Sequence, residues 1–278
     1  MQVSQVKLYQ NMLAKNGFTS AGFTLSGFTA VDSFGLEHLY DNDPTSYFRG
    51  SGVGTNCYVR GQWAVPDVAT FDHLYVSYGA SVQIDLIDLE TEDPEFPGWS
   101  LVTKTDVIGS PAVTIVSSGV YLDQPTEPGW FLLSFSTVAA SENRYRIAVR
   151  ANSAWPNVGL YNMYMAMPLH LLDLPEAART KEIKGFAYGT SRATTLGGKT
   201  QYASYGVDPR RSFSITYEYI SETDRDTILD LYSSCKGGTY PFLLRIDDDV
   251  YPALFSDSLS VVEEQAGLYN VTLSLETL

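Results

Sequence analysis

Three histidines, His38, His73 and His170, are the first candidates for acid–base or metal chemistry. They stand far apart, and none has a second histidine or a cysteine at the spacing of a zinc site. His73 lies in an apolar run, where a surface place or a satisfied core place accounts for it. The two cysteines, Cys57 and Cys235, make no metal spacing and read as free thiols. No Gly-x-Ser-x-Gly elbow is present. Leu196-Gly197-Gly198-Lys199-Thr200 ends like a phosphate loop but lacks its first glycine and its flanking strand and helix. Asp85, Asp88, Glu90, Glu92, Asp93 and Glu95 crowd one strand and its turn. A glycosidase needs two acids about 5–10 Å apart in a cleft; acid-rich surface loops on an acidic chain account for these. Asp41, Asn42 and Asp43 carry oxygens suited to calcium, and a turn held by Asx hydrogen bonds explains them equally. These readings predict no enzyme, no catalytic residue, no cofactor and no metal.

Two other sets point to contacts instead of reactions. Trp63, Trp99, Trp130 and Trp155 are spread through the first part of the chain. Trp99 follows Pro97-Gly98 and Trp155 precedes Pro156, which predicts loops for both. Loop tryptophans stack on sugar rings or anchor protein contacts, whereas packing at the edge of a core is their bland role. The second set is basic: Arg179, Lys181, Lys184, Arg192, Lys199, Arg210 and Arg211 fall within residues 173–211. Five glycines there, at 185, 189, 197, 198 and 206, oppose a stable helix. The segment is a flexible linker, or a long hairpin arm whose cations meet acidic surfaces of another subunit.

The elements that must hold these residues are mostly strands. The 278 residues include 19 Tyr and 13 Phe and are 44% hydrophobic and 18% charged, a globular and strand-favouring balance. The net charge of −14 argues against a nucleic-acid surface, which needs clustered Lys and Arg. No basic-plus-apolar leader opens the sequence and no run reaches the length of a membrane span, which predicts folding in a cytoplasm and no membrane partner. Residues 1–17 carry Val3, Val6, Leu8, Met12 and Leu13 and read as an N-terminal arm or short helix. Residues 18–172 hold about eight short apolar runs divided by turns such as Asp41-Asn42-Asp43-Pro44, the pattern of a β-sandwich or jelly roll. Residues 173–211 are the basic segment.

In residues 212–278, Phe213, Ile215, Tyr217 and Tyr219 alternate with polar residues as a half-buried strand. Ser221 then caps a helix with Glu222 and Asp224 in its first turn. Lys236-Gly237-Gly238 stops that helix, a Tyr240-Pro241-Phe242 strand follows, Asp247-Asp248-Asp249 turns, and strands 258–264 and 268–275 close the chain.

This closing order resembles the minor tail proteins of long-tailed bacteriophages, in particular distal tail and tail-tip proteins built on the tail-tube fold. The residues that carry the resemblance are 212–219, Gly237, Gly238 and Tyr240-Pro241-Phe242. It implies a small β-sandwich with one flanking helix, assembled as a ring around a channel. The acidic turn at 41–43, the run Phe71-Asp72-His73-Leu74 and the pair 144–149 with 160–165 are similar to galactose-binding, discoidin-like jelly rolls, whose end loops bind sugars, lipids or proteins. Together these resemblances imply a structural virion protein of the tail tip, assembled in the host cytoplasm. Its expected partners are further copies of itself, tail-tube, hub and fibre proteins, and a host-surface glycan. The rival reading is a carbohydrate-binding module that attaches its bearer to a glycan.

Overall fold

The computed structural model describes residues 2–11, 23–26, 29–30, 48–51, 57–62, 72–78, 84–92, 99–101, 104–110, 114–116, 119–122, 129–135, 144–150, 157–168, 177–194 and 200–278. The chain is mostly β and divides into two compact units. Unit 1 comprises residues 1–9 and 168–278, and unit 2 residues 10–167. Unit 2 is thus inserted after the first strand of unit 1.

In chain order, β1 is Gln2–Asn11, β2 Phe23–Ser26, β3 Thr29–Ala30, β4 Phe48–Ser51 and β5 Cys57–Gln62. Next come β6 His73–Tyr78, β7 Ile84–Glu92, β8 Trp99–Leu101, β9 Lys104–Ser110, β10 Thr114–Val116 and β11 Gly119–Leu122. Then β12 Gly129–Phe135, β13 Arg144–Arg150 and β14 Asn157–Pro168 complete unit 2. Unit 1 continues with β15 Ala177–Thr194, β16 Thr200–Ser221, α1 Glu222–Ser234, β17 Phe242–Ile246, β18 Asp249–Phe255, β19 Ser260–Gln265 and β20 Leu268–Thr277.

Unit 2 is a β-sandwich of two antiparallel sheets. One runs β3–β4–β14–β6–β12–β9, the other β10–β11–β7–β13–β5–β2 with β8 beside β7. The β6–β12 pair lies at its centre. Leu74, Val76, Phe131 and Leu133 are fully buried, and so is Phe48 on β4. Tyr75 and Leu132, on the opposite face of the same strands, are buried too, so this pair is covered on both sides. That is why 71–78 and 129–136 read as continuous apolar runs.

In unit 1 every pairing is antiparallel, and the order of pairing returns to its start: β15–β16–β20–β18–β17–β1 and back to β15. Such closure leaves few unpaired edges. Of residues 1–17, expected as an arm or short helix, residues 2–11 form the strand β1, and 12–17 lie outside the described residues. Val6 faces Ile246 and Tyr9 faces Leu243 across to β17, while Gln2–Gln5 pair with Thr180–Ala177 on β15. Val6 and Leu8 are buried on either side of the less buried Lys7, a period of two that the helical reading of Val3, Val6 and Leu8 overlooked. The compact unit that holds 212–278 also takes in the first strand and the hairpin, and the sandwich expected at 18–172 corresponds to 10–167, with 168–172 in unit 1. A further strand, β18, went unread because Pro252 and the broken spacing of Val250, Ala253 and Phe255 hide its alternation.

The inner face of this ring of strands gathers Val6, Leu8, Phe213, Ile215, Tyr217, Phe242, Leu244, Phe255, Val271, Leu273 and Leu275. Helix α1 adds Ile228, Leu231 and its C-cap Cys235. Each fully buried aliphatic side chain of this kind stabilises the fold by roughly 1.5–3 kcal/mol. Ser221 caps the helix, its Oγ accepting the Asp224 N–H at 3.2 Å. The Cys235 carbonyl then accepts N–H groups from Gly238, Thr239 and Tyr240 as the chain turns out of the helix. Gly238 has φ +109°, and a Cβ there would lie 2.3 Å from the Phe255 carbonyl oxygen, so only glycine fits.

The strand 212–219 departs from the expected alternation at its end. Phe213, Ile215 and Tyr217 point inward, but Tyr219 is 56% exposed and Ile220 takes the next inward place. A bulge between Tyr217 and Ile220 shifts the register against β20 and holds Tyr219 at φ +57°. The extra residue flips the pattern, which a strict period of two cannot foresee.

Candidate interaction surfaces

The basic segment 173–211 supplies most of the hairpin β15–β16. Near its base the hairpin belongs to the ring, with 177–180 paired to β1 and 212–221 paired to β20. From 184 to 210 the two strands have only each other among the described pairings. A two-stranded ribbon alone in water is marginally stable, because its backbone order is not offset by a shared apolar face. Register shifts between Ile183 and Gly189 mark the point where it leaves the ring.

The predicted contact residues separate along this hairpin. Arg179 stands opposite Thr216 and Lys181 opposite Ser214, both in the base. Lys184 lies on β15 within the register shifts, Arg192 is opposite Tyr202 and Arg210 opposite Ala187. Lys199 lies outside the described residues. Arg211 is different: it is tied into its own unit. Its N–H donates to Thr277 Oγ1 at 2.9 Å, its Nη1 donates to Tyr251 Oη at 2.6 Å, and its guanidinium lies 5.2 Å from the centre of that ring. Tyr251 Oη in turn donates to Asp249 Oδ2 at 3.0 Å. Arg211 thus anchors the foot of the ribbon.

The tryptophans give a second surface. Trp99 is the first residue of the short strand β8, not a loop residue, and faces Glu92 on β7. The Pro97-Gly98 pair that suggested a loop ends just where pairing begins. Trp155 lies outside the described residues, as do Asp41–Asp43, Asp93 and Glu95. Trp130, on β12, is half-buried and stacks on Tyr75 with ring centres 6.1 Å apart.

Two of the acids of β7 have register partners of opposite charge, while Asp88 stands opposite Ala148. Glu90 is opposite Arg146 and Glu92 opposite Arg144 on β13. Facing opposite charges favour such a ladder, which gives these acids a structural use. His73 Nδ1 lies 2.5 Å from Asp72 Oδ1, a pairing of neighbours at the start of β6 that sequence distance between histidines could not reveal. Among the described residues no group of three His, Cys, Asp or Glu side chains is placed to hold a metal. No described helix is long and apolar enough to cross a membrane, which says nothing of strands. Burial pushes the Cys235 thiol up to about 11 and raises the Tyr75 and Tyr217 phenols, so these groups stay neutral and unreactive at ordinary pH.

The sequence matches no protein-family model and no curated protein. Among solved structures the chain is similar to the CBM32 module of AlyQ in complex with 4,5-unsaturated mannuronic acid. That likeness has 13% identity and a TM-score of 0.33, over 53% of this chain and 94% of that one. It is also similar to a mutant of chitosan-binding module 1 from a chitosanase/glucanase of Paenibacillus sp. IK-5, at 10% identity and TM-score 0.40 over 57% of this chain and 99% of that one. A pectin-binding carbohydrate-binding module matches at 10% identity and TM-score 0.34, over 55% of this chain and 92% of that one.

Proposed function

We propose that this chain is a structural attachment protein of a bacteriophage tail tip, in which unit 1 assembles with neighbouring subunits and unit 2 is displayed for contact with fibres or the host surface. The observation that carries the reading is the ribbon 184–210, two strands with no third beside them, rising from a ring of strands that is otherwise closed. A ribbon of this kind is a reaching element that gains order when it lies on another surface. Its location in this reading is the virion tail, and its partners are further copies and other tail proteins.

The test replaces residues 188–209 by an Asn-Gly turn, which joins the facing pair Ala187 and Arg210 as a two-residue hairpin. Light scattering over a concentration series, with and without tail-tube protein, then compares the two chains. The full chain is expected to form a closed oligomer or a mixed complex and the shortened one to lose it while staying folded. A full chain that is monomeric throughout overturns the proposal.

A second reading is glycan attachment through unit 2. What favours it is the register of Trp99, an aromatic residue, opposite Glu92, an acidic one, where the short strand β8 pairs with β7. Sugar recognition uses that combination. Uronate, chitosan and pectin fragments are the first ligands to try. Trp99→Ala is expected to abolish binding seen for the parent chain; an unchanged isotherm rules out Trp99 as the platform.

A further inference from the structure

Three large apolar side chains are exposed among the described residues: Tyr219 at 56%, Val262 at 50% and Val261 at 38%. Tyr219 is on β16 and both valines are on β19, the two strands that flank the start of β20. Val262 stands opposite Asn270 on β20. Asn270 Oδ1 accepts the Tyr219 N–H at 2.9 Å, and its Nδ2 donates to Glu264 Oε1 at 2.9 Å. One asparagine therefore sits between the aromatic and the valine and braces both neighbouring strands.

The choice of tyrosine is informative. A bulge residue at φ +57° favours glycine or asparagine, and a bulky side chain there is disfavoured. Tyr219 serves neither the backbone, which Asn270 holds, nor the core, which Ile220 fills. What it does is project an aromatic ring into solvent from a braced position, the form of an interface anchor. Beside it, all of β19 is exposed, and β19 pairs only with β20 among the described residues, so its outer backbone edge is open.

The rim is acidic. Glu218, Glu222, Glu263 and Glu264 lie around the patch by position. The nearby cation Arg225 is already held by Glu222 at 3.0 Å and Asp226 at 2.6 Å, and lies 4.3 Å over the Tyr269 ring. The ribbon has the opposite character. In a chain of net charge −14, residues 184–210 carry Lys184, Arg192, Lys199 and Arg210 against the single acid Asp208, with Phe186, Tyr188, Tyr202 and Tyr205 between them. The tip of the ribbon lies far along the strand from the patch of its own copy: Thr200 and Tyr219 lie at opposite ends of β16, about 60 Å apart along an extended strand.

We infer that the Tyr219–Val262 patch, with the open edge of β19 and its acidic rim, receives the 184–210 ribbon of a second copy of this chain. The inference rests on the assembly reading and gives it a donor and an acceptor. The contact is heterologous, since ribbon and patch are different surfaces, so repetition yields a ring or a filament.

The test uses the full chain and light scattering. Tyr219→Ser with Val262→Ser, and separately Glu263→Lys with Glu264→Lys, are expected to weaken association at least tenfold with unchanged far-ultraviolet circular dichroism. Adding Lys184→Glu, Arg192→Glu and Arg210→Glu to the second variant is expected to restore most of it. Independently of variant folding, a photo-crosslinking phenylalanine analogue at position 219 should join to peptides from 184–210 of another copy. If patch variants assemble like the parent while the ribbon-shortened chain does not, the ribbon docks elsewhere: this inference fails and the assembly reading stands. Crosslinks that never reach 184–210 also overturn it. A parent chain that is always monomeric removes both.

Discussion

The two halves of β16 are one strand in two settings. Residues 212–221 run between β15 and β20 and bury Phe213, Ile215, Tyr217 and Ile220 against α1 and the facing strands. Residues 200–210 have β15 alone beside them among the described pairings. Backbone pairing is the same kind of bond in both halves. What differs is the packing known for the lower half, whose apolar row joins the buried core with α1; burial of that kind dominates folding stability. The lower half builds the core of the unit, whereas the upper half has a single strand beside it among the described pairings.

This contrast breaks if substitutions in the two halves have similar consequences. Leu231→Ala leaves a cavity where the helix meets the ring and should cost about 2–5 kcal/mol in denaturant unfolding. Ser221→Ala removes the cap at the join of strand and helix and should cost about 1 kcal/mol by the same measurement. Tyr217→Phe sharpens the picture of the core. The Tyr217 hydroxyl is buried without a hydrogen-bond partner, so its removal should be neutral or stabilising by up to about 1 kcal/mol; a loss larger than that would mean that the hydroxyl is satisfied in solution. Shortening the ribbon should move the unfolding midpoint least of all, within about 0.5 kcal/mol, while abolishing assembly.

The buried thiol and phenol add a pH signature to the ring. Burial lifts them above their ordinary values of 9.0 for Cys235 and 10.0 for Tyr217, so the folded state holds its protons more tightly. The stability this contributes is fully present below pH 9.0 and declines as pH rises through the 9.0–11 window of Cys235, with Tyr217 adding its loss above 10.0. Unfolding midpoints measured from pH 7 to 11 should stay level and then fall. A midpoint that rises across that window would contradict the burial.

Much of the fold was legible because its signals are local. Ser221 with its following acids, the Lys236-Gly237-Gly238 stop and the alternation through Phe213, Ile215 and Tyr217 each act over a few residues, and the structure places each where the pattern does. The apolar runs around Leu74 and Phe131 were legible for the same reason. The misreadings share a cause as well. β1 finds its partners in β15 and β17, far along the chain, and a short amphipathic stretch does not say whether it will coil or pair. β18 was hidden by Pro252, and Trp99 by the turn residues before it.

The candidate surfaces divide in the same way. Composition alone marked 173–211 as basic and unable to form a helix, but a linker and a hairpin satisfy that composition equally. Strand pairing decided for the hairpin, and it set Arg211 apart by giving it Tyr251 and Thr277 as partners. The sequence by itself determined a mostly β chain, its capped helix and its charge, because propensity, capping and charge are properties of neighbouring residues. Only the tertiary structure decided the closure of the strand ring through β1 and the exposure of Tyr219, because register and bulges arise from pairings between distant segments.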